Sequence, residues 1–185
     1  MSDFDVLRKM IKDSSRLELD DYYSRNQVTL CEPQDSDYSV CIRGLPEDTV
    51  IIKADDFRSP DTIFKGEHGE CKRADFLIIA ESNDKVFILI IEMKRRKGLE
   101  KEVIKQLVGT RCFLSYVIEI GRAFWQQNTF LNNCVYRFIS INHISIAKGK
   151  TKVTRTAKLH DRPERMLKIA YSGHLEFKHL AGRSR

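Results

Sequence analysis

The sequence has no apolar run long enough to cross a bilayer. Its longest, Val86 to Ile91, falls far short of the roughly 20 residues a spanning helix needs. The N-terminus carries no apolar stretch of the kind found in a secretory leader, so a cytoplasmic protein is expected, with no membrane partner. Cysteine is sparse and unpatterned. Cys31, Cys41, Cys71, Cys112 and Cys134 are odd in number, widely spaced and without a CxxC pair, which argues against a zinc site or a disulfide framework. Cys71 and Cys134 adjoin apparent strands, where buried free thiols are common. The histidines are scattered too; His174 and His179 would point to opposite faces of a strand and read as surface residues. There is no internal repeat, no low-complexity segment, and no basic stretch interleaved with aromatics of the kind that stacks single strands. Trp125, in Ala123-Phe124-Trp125-Gln126-Gln127, reads as core or interface.

What is present is the composition of a globular chain: 185 residues, 42% apolar and 31% charged, enough for one domain spanning 1–185 with a real core. The net charge of +6 is unevenly distributed. Residues 1–70 carry 9 basic and 16 acidic side chains, net −7; residues 71–144 are net +5 and residues 145–185 net +8. An acidic front and a basic back suit a polyanion binder, although a solvated basic face would look the same.

Apolar spacing predicts an amphipathic helix from Asp5 to Leu19, capped by Ser2 or Asp3. Residues 20–70 are acidic and turn-rich, with strand candidates at Val28–Cys31, Val40–Arg43 and Val50–Lys53 and a turn at Arg58-Ser59-Pro60-Asp61. Two apolar runs follow, Ala74–Ala80 and Val86–Ile91, separated by the turn Glu81–Lys85; the second is apolar at every position, as in a strand buried on both faces. Leu99 to about Ile118 reads as a helix with the stripe Leu99, Val103, Leu107, Leu114 and Val117. Cys134–Ile146 reads as a strand or a bent pair. Met166–Tyr171 and Leu175–Leu180 read as a terminal hairpin, and a basic loop lies at Lys148–Lys158.

The register of the central hairpin decides what its ends can do. With Ser82–Lys85 as a four-residue loop, Glu81 pairs with Val86 and Asp75 falls directly opposite Glu92. Two opposed carboxylates on one face repel, and a divalent cation between them would remove the conflict. Lys94 lies two residues past Glu92, on the same face, where it could orient an attacking water and offset charge. Met93 would offer its backbone carbonyl to the cation. A five-residue loop from Glu81 to Lys85 would instead put Asp75 and Glu92 on opposite faces. Gln106, seven residues after Leu99, shares the inward face of the following helix; it either reaches the site or is a boundary residue with its amide in solvent.

Asp75, a strand turn, Glu92-Met93-Lys94 and a helix bearing Gln106 together resemble the PD-(D/E)XK nuclease superfamily over residues 72 to about 118. The resemblance implies an α/β fold of restriction-endonuclease-like type, a central mixed sheet flanked by helices. It also implies hydrolysis of phosphodiester bonds with Mg²⁺ or Mn²⁺ held by Asp75, Glu92 and the Met93 carbonyl. Lys94 and Gln106 would complete the catalytic group, and DNA is the first expectation for the nucleic-acid partner. Defence, repair and mobile-element processing are the roles it suggests. The family often adds an acid from an N-terminal helix. Glu18 matches best, with Asp13 and the loop acids Glu67 and Glu70 as competitors. The chain departs from the family in having no proline before Asp75; its literal Pro60-Asp61 lies in a turn. Arg95, Arg96 and Lys97 directly follow the motif and are expected phosphate contacts. Two other readings stay open: a non-catalytic nucleic-acid-binding module on the same fold, and a docking component whose acidic segment 20–70 meets a protein partner or a second copy of the chain.

Overall fold

Alternation between buried faces in residues 49–94 builds the middle of a seven-stranded sheet. The computed structural model describes residues 1–32, 35–94, 99–143, 152–153, 159–171 and 174–182. Helix α1 (Asp3–Met10) leads into the short strands β1 (Arg16–Leu17) and β2 (Asp20–Asp21), then β3 (Asn26–Glu32), β4 (Asp35–Arg43) and β5 (Thr49–Lys53). The central hairpin is β6 (Phe76–Ser82) and β7 (Lys85–Lys94). It is followed by the long helix α2 (Glu100–Phe124), β8 (Val135–His143), β9 (Lys152–Val153), β10 (Leu167–Tyr171), β11 (His174–Glu176) and α3 (Phe177–Ala181).

The main sheet runs β1-β5-β6-β7-β8-β10-β9 and is mixed. Neighbours along β1-β5-β6-β7 are antiparallel, β8 lies parallel to β7 and β10 parallel to β8. The parallel β7–β8 step requires a crossover, and α2 provides it across one face. A second sheet, β11-β4-β3-β2, is also mixed.

Strands β5, β6, β7 and β8 contribute alternate residues to two cores. One core joins Ile78, Leu89, Ile91, Met93 and Ile139 to Val28, Val40 and Ile42 of the second sheet and Phe177 and Leu180 of α3. The other joins Leu77, Ile79, Ile88, Ile90 and Phe138 to Phe4 and Leu7 of α1 and Val103, Leu107 and Leu114 of α2. Helices therefore cover one face, and the second sheet with the short α3 covers the other. The expected central mixed sheet is present, with α1 and α2 on one face and the second sheet and the short α3 on the other.

Local structure departs from expectation where short polar residues intervene. The first helix stops at Met10 and does not run to Leu19: Ser2 caps it with a reciprocal Ser2–Asp5 box, and Asp13–Ser15 form a 3-10 turn that leads into β1. Asp and Ser compete with the helix for backbone hydrogen bonds, which ends the periodic pattern early. Residues 166–180 form no hairpin. β10 joins the main sheet beside β8, while β11 joins the second sheet beside β4 and continues into α3. Helix α2 runs past Ile118 to Phe124, and Leu99 stands as its N-cap with 76% of its surface exposed, outside the buried stripe. Of the basic loop, only Lys152–Val153 is among the described residues, as β9. Cys71 and Cys134 are partly buried thiols, and Trp125 packs partly buried against the helix-side core. His160, by contrast, is buried, with its Nε2 2.7 Å from the Leu180 carbonyl at the end of α3. No helix among the described residues is long and apolar enough to cross a membrane.

Two contacts dock α2 onto the start of β6. The Thr110 hydroxyl accepts from Ala74 N–H at 2.7 Å, both residues being fully buried. Beside it, Gly109 lets the helix approach so closely that a Cβ would stand 1.7 Å from the Lys72 carbonyl oxygen. Thr110→Val should cost about 1–3 kcal/mol by leaving Ala74 N–H unsatisfied. Gly109→Ala should cost a similar amount or more by pushing the helix off residues 72–74. Denaturant midpoints measure both, and a wild-type midpoint in either variant would contradict this docking.

Candidate active site

The β6–β7 ladder keeps the register in which Glu81 pairs with Val86 and Phe76 with Ile91. It closes one pair further than the four-residue loop required: Ser82 faces Lys85, and only Asn83 and Asp84 turn. Both turn residues have positive φ (51° and 55°), as a two-residue type I′ turn demands. The register places Asp75, just ahead of β6, level with Glu92. Both acids share the helix-side face with Leu77, Ile79, Ile88 and Ile90. Asp75 is fixed on both sides of its backbone and side chain: its carbonyl accepts from Ala54 N–H at 2.8 Å and its Oδ2 from Met93 N–H at 2.6 Å.

Glu92 is the unusual residue. It is completely buried at the end of an apolar strand. Lys94 Nζ lies 2.5 Å from its Oε1, yet neither Glu92 oxygen has a hydrogen bond of normal geometry. Burial and the nearby Asp75 charge push its carboxyl up to about 8, against the opposing pull of Lys94 and the Gln106 side chain. Without a cation the group is therefore largely a carboxylic acid near neutral pH. Lys94, 30% exposed, carries the site to the surface. It joins Lys72, Arg73, Leu99, Glu102, Val103 and Gln106 around an open cleft of about 390 Å³. Glu102 pairs with both Lys72 and Lys105 at its rim.

The structure thus brings Asp75, Glu92, Lys94 and Gln106 together. Met93 points its side chain into the opposite core, leaving its backbone at the site. Arg95, Arg96 and Lys97 lie outside the described residues. The additional acids do not converge. Glu18 is exposed just past β1; extending the register sets it beside Val50, whose partner Ile79 lies four residues along β6 from Asp75. That offset is about 13 Å along the strand, and Glu18 lines a separate cavity with Arg8, Arg16 and Glu47. Asp13 pairs with Arg16. Glu70 accepts from the Gly66 and His68 N–H groups and closes its own loop, and Glu67 is exposed in that same loop. Sequence reading missed Arg73, and also Ser140 and Asn142. The parallel ladder sets Ser140 beside Glu92 and Asn142 beside Lys94, a neighbour relation visible only once β8 is paired.

Among the described residues no group of three or more His, Cys, Asp or Glu side chains is placed to hold a metal. The two carboxylates present still fit Mg²⁺ or Mn²⁺, because Mg²⁺ commonly takes one or two carboxylates and fills its shell with water and phosphate oxygens. The buried, unsatisfied oxygens of Glu92 beside Asp75 are the observation that supports this fit. No protein-family model matches the chain, and neither a curated protein nor a solved structure matches it.

The raised Glu92 carboxyl has a consequence for stability. Below the ordinary carboxyl range the folded and unfolded states are both protonated. As pH rises toward about 8 the unfolded chain ionises first, so the folded state progressively loses its relative stability. In EDTA, the melting temperature should therefore fall between pH 5 and pH 9, and Glu92→Gln should flatten that fall. A Glu92→Gln profile parallel to wild type would refute the shifted carboxyl.

Proposed function

We propose that the chain is a metal-dependent nuclease of the PD-(D/E)XK type that hydrolyses phosphodiester bonds, with DNA as the first substrate to test. One observation carries the reading: two carboxylates lie level on neighbouring strands, one of them buried and unsatisfied, and that one pairs with Lys94, which lines a cleft together with Lys72 and Arg73. Asp75 and Glu92 would hold Mg²⁺ or Mn²⁺, with the Met93 carbonyl as a further oxygen. The bound cation would supply a more acidic water and a polarised phosphate.

The chain's own groups have separable tasks. The Met93 N–H fixes Asp75 Oδ2 and so orients that carboxylate. Glu92 would hold the cation in its ionised form, the form in which a carboxylate is a ligand. Lys94 Nζ, already beside Glu92 Oε1, would orient the attacking water and offset charge on the phosphate as the bond breaks. Gln106 steadies Glu92 from α2. Lys72 and Arg73 at the cleft wall would contact the phosphodiester backbone, as the neighbouring Arg95, Arg96 and Lys97 are expected to do.

The test is incubation of plasmid, linear duplex, single-stranded DNA and RNA with Mg²⁺, Mn²⁺ or EDTA. Wild type should cut at least one substrate with metal and none in EDTA. Glu92→Ala and Lys94→Ala should each lower the rate by roughly 10²-fold or more. Absence of cutting on every substrate would sink the nuclease reading for this chain and leave a nucleic-acid-binding or protein-docking module.

A further inference from the structure

One wall of the cleft continues into an exposed aromatic shelf that the catalytic reading does not use. Arg73 lines the cleft beside Lys94, and its guanidinium carbon lies 5.2 Å from the centre of the Phe57 ring. Phe57 sits against Phe113 of α2 at 4.6 Å and near Tyr116 at 6.1 Å, centre to centre. Phe113 is the buried footing, whereas Phe57 and Tyr116 keep 36% and 56% of their surfaces exposed. Arg73 forms no ion pair or hydrogen bond among the described residues, and its Nε is buried without a partner. Asp55 and Asp61 act on it only through space. An arginine left without a partner in a cleft wall, stacked on an exposed ring, is suited to take a phosphate from above.

Spacing along α2 sets the distance. Phe113 and Tyr116 lie seven and ten residues past Gln106, so the shelf begins about 10–15 Å along the helix from Gln106. Lys72 and Lys94 line the cleft, paired with Glu102 and Glu92, and Leu99 adds an exposed apolar side chain to it. A base inside a duplex has both faces covered by its neighbours, so only an unpaired base can lie on such a shelf.

We propose that Arg73, Phe57 and Tyr116 form a binding site for a single-stranded or locally unpaired stretch of nucleic acid, with Arg73 on a phosphate and a base stacked on the two rings. The proposal rests on the nuclease reading for its orientation, since the shelf adjoins, through Arg73, the cleft that Lys94 also lines.

The test is fluorescence anisotropy on the full chain in EDTA, where no cutting occurs. The probes are labelled oligonucleotides of roughly 15 nucleotides, within the footprint of a single-strand-binding groove: one DNA strand, the same sequence as RNA, and the DNA duplex. Wild type should bind at least one single strand more tightly than the duplex. Tyr116→Ala and Phe57→Leu should each weaken that binding by roughly five- to a hundredfold while leaving duplex binding within about twofold. Phe57→Leu keeps the bulk against Phe113 while removing the π face, and circular dichroism confirms that each variant folds. Arg73→Gln should also lower the salt dependence of binding. Single-strand binding unchanged in folded Phe57→Leu and Tyr116→Ala, or no binding of any probe, would overturn the shelf. Shelf-dependent binding without any Mg²⁺- or Mn²⁺-dependent cutting would leave the shelf standing and overturn the nuclease reading. Glu92-dependent cutting with shelf-independent binding would do the reverse.

Discussion

The constraint on which the structure turns is the burial of a carboxyl group at the end of its most apolar strand. β7 is buried at every position from Phe87 to Met93, and Glu92 falls inside that run with no exposed surface. A solitary charge there would be strongly disfavoured, and Asp75 beside it makes the cost greater. The fold answers with a raised carboxyl pKa that favours the protonated acid, a lysine within ion-pair reach and the Gln106 amide. None of these gives its oxygens a well-formed hydrogen bond. A packed apolar residue in place of Glu92 would cost less, so the acid has no evident structural use. The proposed divalent cation would resolve this asymmetry.

The surrounding architecture serves that placement. The β6–β7 register presents Asp75 level with Glu92, and α2 is pinned to residues 72–74 just ahead of it by Thr110 and by the close approach that Gly109 permits. The same helix carries Val103 and Gln106 to the cleft at one end and Phe113 and Tyr116 to the aromatic shelf at the other. Glu102, tied to Lys72 and Lys105, fixes the rim between them. On the far face the second sheet and α3 bury Leu89, Ile91 and Met93. That face is held by core packing and by Arg137, whose Nε donates to the Ala181 carbonyl at 2.5 Å.

What could be read from the sequence was whatever depends on local periodicity. The all-apolar run at Val86–Ile91 marked a central strand. The spacing of Asp75, Glu92 and Lys94 placed them on one face once a register was chosen, and the turn chemistry of Asn83-Asp84 fixes that register. What depends on long-range pairing was not legible. Nothing local tells Leu167–Tyr171 to join β8 while His174–Glu176 crosses to β4, because both segments carry the same short alternating pattern. The first helix was overextended because Ser14 and Leu17 fit its period, although Asp13-Ser14-Ser15 stops it. The shelf was invisible because Phe57, Arg73 and Tyr116 are scattered along the chain and meet only when α2 crosses the end of β6. The same lack of pairing information left Glu18 as a plausible fifth site residue, although β1 holds it toward the other end of the strands.

The most direct test of the central claim is calorimetric titration of Mn²⁺ into the protein near pH 7, in two buffers of different ionisation enthalpy. A carboxyl that is protonated without metal and ionised with it must release its proton on binding. Wild type should therefore bind Mn²⁺ with net proton release, and Glu92→Gln should lose both the release and most of the affinity. Binding of Mn²⁺ that is indifferent to Glu92→Gln, or no binding at all, would contradict the account of a buried carboxyl kept for a cation.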